Sequence, residues 1–459
     1  MLHEHVIYRP LLSFILLLAV GGCTYVNRPL NAPRIAMEAR RHNATRATLD
    51  IAAQLPDAPP AQTRAESDGY FIGIAISGGG LRSANFSAAC LFQLQRLGLL
   101  EHVDCISSVS GGSLTAAYYC LHDDAAWNPG DVQRKLTHQF ATDGWITLLM
   151  PWNLIALAVS DFDRSDILAG KFEKVLYTDP RSGKPLTFAD LRADRPRLVM
   201  NATDLQSGKP FIFCDRTFDE LNSDLARYPM AYAVTASAAI PVLLHQVTLR
   251  DFSTIFKQYR HLIDGSVNDN LGVKTLVDVY REQMNGPHRG LYRRGAIFIV
   301  IDARTEFSAK IGERGDTTVL DTLRLSTGLA ATALVNRAST ATLSEILLES
   351  SPDNVTAGKL RAQRDDLINQ GYVRFENVDG RPVHVLHIAL SRVAELKDLP
   401  SADFSQSINS IDTYFNIDPA QAYQLYQAAE LLIGKKFAGP LRKIVDELNA
   451  PASAPGTRP

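Results

Sequence analysis

The sequence predicts an α/β fold in which helices cover a mainly parallel central sheet. Two short apolar, partly β-branched runs, Tyr70–Ile76 (YFIGIAI) and residues 103–109, are typical of buried strands. A glycine-rich turn and a segment with helical spacing follow each run. Strand, turn and helix therefore occur twice in succession, which is the order expected for a parallel sheet covered on both faces.

The composition excludes several classes of protein. The chain has 459 residues, of which 46% are hydrophobic and 21% charged, so it is neither disordered nor fibrous. The 47 basic residues balance 49 acidic ones, which argues against a nucleic-acid partner. Five cysteines are too few for a small disulfide scaffold. We expect Cys90, Cys105, Cys120 and Cys214 to be buried thiols, with a disulfide as the alternative.

The N-terminus has the pattern of a targeting segment. Residues 11–20 (LLSFILLLAV) form an uncharged run of ten, which is shorter than the roughly 20 residues needed to span a bilayer. The run matches the apolar region of a signal peptide. The following Val20-Gly-Gly-Cys23 resembles a bacterial lipobox, and the alternative is an ordinary secretory signal with a cysteine there by chance. This resemblance implies that residues 1–22 are removed, that Cys23 is lipidated and that the protein is anchored in the cell envelope. Thr24 stands where an aspartate would retain a lipoprotein in the inner membrane. This resembles the pattern of lipoproteins that are sorted to the outer membrane and face the periplasm.

The remaining chain divides into four predicted parts: a proline-containing tether at 23–68, a folded core at 69–305, an α-rich extension packed on the core at 306–449, and a disordered tail at 450–459. In the core we predict helices at 83–100, with Ser83 as N-cap, and at 113–120. Further strands are predicted at 197–203, 296–303 and 383–390. In the extension we predict helices at 317–349, 418–433 and 441–448, and a helix with a surface loop at 354–376.

Ser110 is a candidate nucleophile. It lies in Ser108-Val-Ser110-Gly-Gly112, between a predicted strand and a predicted helix. A tight turn there exposes the hydroxyl at a helix N-terminus, and the residues two before and two after must be small. Gly112 meets this requirement and Ser108 nearly does. The alternative is a turn without catalytic function.

Ser77-Gly78-Gly79-Gly80-Leu81-Arg82 ends the previous strand. Consecutive glycines let backbone N–H groups face one concavity, which suits an oxyanion, and Arg82 adds a positive charge. A phosphate-binding loop is the rival, although neither nucleotide-binding pattern is present. A flexible turn is the third possibility.

Asp264 is a candidate base, because an apolar run delivers it into the glycine turn of Asp264-Gly265-Ser266. A turn-forming aspartate is the alternative.

Taken together, the three motifs resemble the patatin-like phospholipase family in order and spacing. Asn201-Ala-Thr-Asp204 and Ala236-Ser-Ala-Ala-Ile-Pro241 strengthen the resemblance, which covers roughly residues 70–305. It implies a three-layer α/β/α fold and a serine acyl hydrolase of the phospholipase A or lysophospholipase type. It also implies a Ser110–Asp264 dyad and an oxyanion hole from Gly78, Gly79, Gly80, Arg82 and Gly111, with lipid acyl esters as substrates. Ser83 and Ser266 stand where the family usually has glycine.

Other assignments of the site remain open. A Ser-Asp-His triad would draw on His288, His384 or His387, and Asp204 is a second candidate base. No cluster has metal-ligand spacing, so we predict no metal and no cofactor. Acyl transfer is possible in place of hydrolysis, and a non-catalytic envelope lipoprotein is the alternative from a different class.

Residues 145–160 (WITLLMPWNLIALAVS) are uncharged and contain two tryptophans. They predict either a membrane-interfacial flap or a buried helix broken by Pro151.

Overall fold

The computed structural model describes residues 29–34, 68–148, 150, 152, 163–241, 244–305, 357–377 and 379–450. The predicted signal peptide, Cys23, the predicted helix at 317–349 and residues 451–459 lie outside these ranges. No helix among the described residues is long and apolar enough to cross a membrane.

Nine strands of the described residues form one sheet. They are β1 (Tyr70–Ile76), β2 (Cys105–Val109), β3 (Arg197–Asp204), β4 (Pro210–Phe213), β5 (Val247–Asp251), β6 (Gln258–Asp264), β7 (Gly295–Asp302), β8 (Tyr372–Glu376) and β9 (Pro382–Ala389). The centre, in the order β3-β2-β1-β7-β9, is entirely parallel. The strands β4, β5, β6 and β8 are added in antiparallel pairings. The predicted α/β class with a mainly parallel sheet is confirmed.

Helices of the described ranges lie between and after these strands. They are α1 (Gly80–Arg96), α2 (Gly111–Leu121), α3 (Pro129–Leu136), α4 (Phe140–Leu148), α5 (Arg164–Leu176), α6 (Asp215–Glu220), α7 (Met230–Ser237), α8 (Val273–Asn285), α9 (Ala357–Gln370), α10 (Phe404–Asn409), α11 (Pro419–Leu431) and α12 (Ala438–Asn449).

Both faces of the sheet are covered. Alternate residues of β1 enter two separate apolar clusters, Ile72 and Ile74 on one face and Phe71 and Ala75 on the other. The first cluster includes α1, α2 and α11, and the second includes α8 and Leu367 of α9. Every residue of β1 is buried, as the continuous apolar run predicts for a central parallel strand.

Two strands share one edge of β3. Asn201 of β3 pairs with β2 on one side and β4 on the other, and the next residue, Ala202, pairs with β4 and with Asp264 of β6. Since β4 occupies one edge throughout, β2 and β6 must follow each other along the opposite edge. The end of β6 therefore meets the end of β2.

The predicted C-terminal extension contributes to the same sheet. β9 pairs with β7 in parallel, and β8 joins it as an antiparallel edge strand. The surface loop predicted at the end of 354–376 is instead β8, in which Val373 and Phe375 are buried against the second cluster. The α9, α11 and α12 helices match the predicted helical segments.

The first core helix begins three residues before the predicted start. Gly79 is the N-cap of α1, and Ser83 lies inside the helix with its hydroxyl donating to the carbonyl of Ser77 at 2.5 Å. Gly79 and Gly80 have φ of 135° and 56°, values that favour glycine, so the helix can start directly from the loop.

Part of the predicted tether packs against the body. Asn31 is buried, and its amide exchanges two hydrogen bonds of 2.8 Å with the backbone N–H and C=O of Arg250 in β5. It also donates to Ser223 Oγ at 3.0 Å. Residues 29–34 are therefore fixed to β5.

Candidate active site

Ser110 occupies a sharp turn between β2 and α2. Its φ of 51° and ψ of −125° are unusual for a residue with a side chain, and this strain aims the hydroxyl away from the strand. Strand and helix nearly touch at this turn: a Cβ on Gly112 would lie 2.6 Å from Ile76 Cγ2 and from the Ser77 carbonyl oxygen. The small residue predicted at 112 is thus required by packing.

Asp264 lies directly beside Ser110. Ser110 Oγ donates to Asp264 Oδ2 at 2.8 Å, and both residues are only 2% exposed. The other carboxylate oxygen, Oδ1, accepts from the N–H and the hydroxyl of Ser266 at 2.7 and 2.6 Å. Asp264 N–H donates to Ala239 O, and Asp264 O accepts from Thr203 Oγ1. The carboxylate is therefore fixed in position, with one oxygen committed to Ser110.

Burial raises the pKa of Asp264, because the charged form loses its hydration. The hydrogen bonds from Ser266 and Ser110 oppose this effect by stabilising the carboxylate. The result is a carboxylate with more affinity for a proton than an exposed aspartate has.

The glycine-rich loop packs against this turn. A Cβ on Gly111 would collide with the backbone of Gly80, so the two peptides lie in direct contact. Within the described residues, no group accepts a hydrogen bond from the N–H of Gly79, Gly80 or Gly111. These three amides lie at the starts of α1 and α2, where helix N–H groups lack partners and the helix dipole favours negative charge.

Gly78 does not fit its predicted place in the oxyanion hole. Its N–H donates to the carbonyl of Asn270 at 2.9 Å. A Cβ at Gly78 would meet Asn270 Oδ1 and Ser266 Oγ at 2.6 Å. Gly78 is thus needed for close packing against the segment that carries Asp264, and its amide is already committed.

The structure also gives Arg82 a different position from the predicted one. The guanidinium is buried, and it donates to Ile411 O at 2.8 Å and to Thr305 Oγ1 at 3.3 Å. Burial lowers its pKa to about 10, although the nearby Asp302 and Asp412 favour the charged form. These contacts fix the start of α1 to the C-terminal part of the chain.

Ser237, at the end of α7, is a positioning residue that the sequence analysis did not identify. Its hydroxyl accepts from the N–H of Ser110 at 2.9 Å and donates to the carbonyl of Asn201 at 2.6 Å. The Asn201 side chain donates to Ser107 Oγ and Ser108 O and accepts from Thr275 Oγ1. The only available signal was that Ser237 lies in the Ala236–Pro241 stretch, which gave no role for the residue itself.

The alternative bases are engaged elsewhere. His384 contacts Glu447 and Tyr372, and His387 contacts Asp302 at 2.9 Å. Asp204 accepts from the turn amides of Gln206 and Ser207 and faces Arg260. The side chain of His288 lies outside the described part of the structure. Direct contact between Ser110 and Asp264 leaves no place for a histidine between them.

The four predicted thiols lie within the described ranges, whereas most of the predicted flap lies outside them. Cys90, Cys105, Cys120 and Cys214 are free and buried, as predicted. Within the described ranges, no three His, Cys, Asp or Glu side chains come together as a metal site. Of residues 145–160, only the start belongs to α4, and most of the segment lies outside the described ranges.

Residues 74–277 match the family model of patatin-like phospholipases. The chain thus carries a patatin-like phospholipase domain, and this domain supports a lipid ester hydrolase. This finding favours the enzyme over the non-catalytic lipoprotein that the sequence left open.

Solved structures give weaker similarities. Human GIVD cytosolic phospholipase A2 is 12% identical with a TM-score of 0.47, over 91% of this chain and 67% of that chain. VipD from Legionella pneumophila is 13% identical with a TM-score of 0.30, over 79% of this chain and 67% of that chain. The ExoU–SpcU complex from Pseudomonas aeruginosa is 15% identical with a TM-score of 0.26, over 83% of this chain and 78% of that chain. We draw no functional conclusion from them. None of the curated proteins compared with the chain matches it.

We expect Ser237→Ala to lower kcat on a water-soluble ester by about tenfold or more with little change in KM. The substitution leaves the Ser110 amide and the Asn201 carbonyl buried without their partner, so the candidate nucleophile Ser110 relaxes from its strained position. Ser87→Ala is the matched control, because Ser87 is also a buried helix serine but bonds only the backbone of its own helix. Equal kcat values for the two variants would show that Ser237 has no positioning role.

Proposed function

We propose that this protein cleaves acyl esters of lipids through a Ser110–Asp264 dyad, as a phospholipase A or lysophospholipase. The observation that carries the proposal is the direct 2.8 Å hydrogen bond from Ser110 Oγ to the buried, raised-pKa carboxylate of Asp264. A serine hydroxyl is a weak nucleophile until a base in contact with it removes its proton. Asp264 is the base in contact.

In the first half of the reaction, Ser110 Oγ attacks the ester carbonyl carbon and its proton passes to Asp264 Oδ2. Burial supports this transfer, since a carboxylate with a raised pKa is a better base. Ser266 holds the other carboxylate oxygen, so the accepting oxygen stays aimed at Ser110.

The negative charge that develops on the carbonyl oxygen needs donors that are already in place. We assign this role to the amides of Gly79, Gly80 and Gly111, which lie at the starts of α1 and α2, where Gly80 touches Gly111 of the Ser110 turn. The tetrahedral intermediate collapses when Asp264 returns the proton to the departing alcohol oxygen. Water then attacks the acyl-serine and loses a proton to Asp264. The bond between the acyl carbon and Ser110 Oγ breaks, Asp264 returns that proton to Ser110 Oγ, and the fatty acid is released. An acceptor alcohol in place of water would give acyl transfer.

We expect Ser110→Ala and Asp264→Asn each to reduce fatty-acid release from phospholipid vesicles by about a thousandfold or more, because each removes one member of the unit that forms the acyl-enzyme. Release can be followed by mass spectrometry. Ser87→Ala serves as the control for loss of a buried serine. Fatty-acid release by Ser110→Ala at the wild-type rate would rule out this nucleophile.

We also expect Ser266→Ala to shift the acid limb of the kcat/KM profile to higher pH. The Ser266 hydroxyl lowers the pKa of Asp264, so its removal lets burial raise that pKa further. The reaction needs the ionised base, and a higher pKa postpones ionisation to higher pH. Ser182→Ala is a matched control, because Ser182 makes the same pair of contacts to Asp179 in another part of the chain. An unshifted limb, or the same shift in the control, would contradict Asp264 as the base.

We further propose that the enzyme is held in a bacterial envelope, on the periplasmic side of the outer membrane, by a lipidated Cys23. The support is the lipobox-like sequence and Thr24. Residues 29–34 bond to β5, so at most five residues lie between the proposed anchor and the folded body.

We expect Cys23→Ser to abolish incorporation of radiolabelled fatty acid into the protein expressed in a double-membraned bacterium and to shift it out of the outer-membrane fraction. Cys23 supplies the only thiol that the lipobox-like sequence presents for acylation. Cys90→Ala is the control, since Cys90 is buried in the fold. Label retained in the Cys23→Ser chain would refute this anchor.

A further inference from the structure

The turn between β5 and β6 carries the most exposed large apolar side chain of the described residues. Ile255 is 95% exposed and the adjacent Phe256 is 72% exposed. Isolated surface apolar residues are common, but two adjacent ones at the tip of a hairpin form a protruding apolar knob. We call residues 252–257 with these two side chains the hairpin tip.

The hairpin tip is held in this shape by its own hydrogen bonds. Asp251 Oδ1 accepts from the N–H and hydroxyl of Ser253, and Thr254 Oγ1 donates to the carbonyl of Phe256 at 2.8 Å. At its base, Phe252 N–H donates to Leu221 O at 2.8 Å. The apolar side chains are thus presented by an organised turn attached to the body.

Strand register places the hairpin tip on the same edge of the sheet as Ser110. β6 begins to pair with β3 at Leu262, opposite Asp204, the last residue of β3. The four preceding residues of β6, paired only with β5, therefore extend beyond the carboxyl ends of the parallel strands, where Ser110 lies. From Asp264 to Gln258 the strand covers about 20 Å at 3.4 Å per residue.

Other side chains on this edge fit a lipid surface. Leu205, in the turn after β3, and Val267, three residues after Asp264, are 52% and 57% exposed. Lys209, in the same turn as Leu205, and Lys257, in the hairpin tip, are also exposed. Apolar side chains flanked by cations suit the boundary between acyl chains and phosphate head groups, where lysine stems can snorkel.

The N-terminal segment joins the body at the same hairpin. Asn31 bonds the backbone of Arg250, two residues before Phe252. Five residues lie between Cys23 and Pro29, and the six peptide links that join them span at most about 20 Å. An acyl chain on Cys23 and the hairpin tip can therefore reach one lipid surface.

We propose that the hairpin tip inserts Ile255 and Phe256 into the lipid surface and holds the Ser110 edge of the sheet toward it. The inference of insertion rests on the exposure of Ile255 and Phe256 and on the register of β6, which places them on the Ser110 edge. That it delivers substrate rests on the function proposed above.

The test uses the full chain with Ser110→Ala, so that no lipid is consumed, and Cys23→Ser, so that the remaining cysteines are the buried ones. An NBD fluorophore is attached at Ile255→Cys. The matched control carries the fluorophore at Tyr423→Cys, which is also exposed but lies on α11. The vesicles contain phosphatidylcholine and phosphatidylglycerol, with and without doxyl-labelled lipid.

We expect vesicles to shift NBD emission at position 255 to the blue and doxyl lipid to quench it, with neither effect at position 423. An unchanged spectrum at 255, or equal effects at both positions, would overturn the proposal and point to a protein partner or to no partner at this surface.

A second measurement links the surface to turnover in the otherwise unaltered chain. Ile255→Ser with Phe256→Ser should lower hydrolysis of vesicle phospholipid about tenfold or more, because two apolar side chains no longer leave water, while hydrolysis of a short water-soluble ester stays unchanged. Tyr423→Ser is the control. Equal vesicle activity in the double variant and the control would refute the role in substrate delivery. A chain that cleaves no ester fails the proposed function, yet the NBD result still decides insertion.

Discussion

The meeting of β2 and β6 along one edge of β3 is the constraint on which the site depends. Asn201 pairs with the last residue of β2, and the next residue of β3 pairs with Asp264. A serine that follows β2 and an aspartate that ends β6 are thereby brought within hydrogen-bond distance, although 154 residues separate them in sequence. A shift of one residue in either pairing would turn one of the side chains to the other face of the sheet.

The same junction explains why so many small residues surround the site. Gly112 lies against the end of β1, Gly111 against Gly80, and Gly265 against the Asn201 carbonyl. Close approach of these backbones excludes water from the serine–carboxylate pair, which raises the pKa of Asp264 and strengthens its bond to Ser110. The strained conformation of Ser110 is maintained by this packing and by the hydroxyl of Ser237.

Local patterns in the sequence were sufficient for the parallel centre of the sheet, because continuous apolar runs followed by glycine turns and helices leave few alternatives. They also singled out Ser110 and Asp264 as candidates, because positions at strand ends are local properties. Roles that depend on distant partners were not predictable in this way. The Gly78 amide donates to Asn270, and the Arg82 guanidinium donates to Ile411. The Ser237 hydroxyl joins the Ser110 turn to Asn201 of β3. β8 was missed because a short edge strand with alternating polar residues has the local pattern of a surface loop.

The measurement that tests the central claim most directly is labelling of the full chain with a fluorophosphonate, followed by mass mapping of the modified peptide, with Asp264→Asn as the comparison. Attack on phosphorus requires an activated serine, so the account predicts an adduct on Ser110 in the wild-type chain and its loss in the Asp264→Asn chain. An adduct on Ser110 of equal yield in both chains, or an adduct on another residue alone, would contradict the dyad.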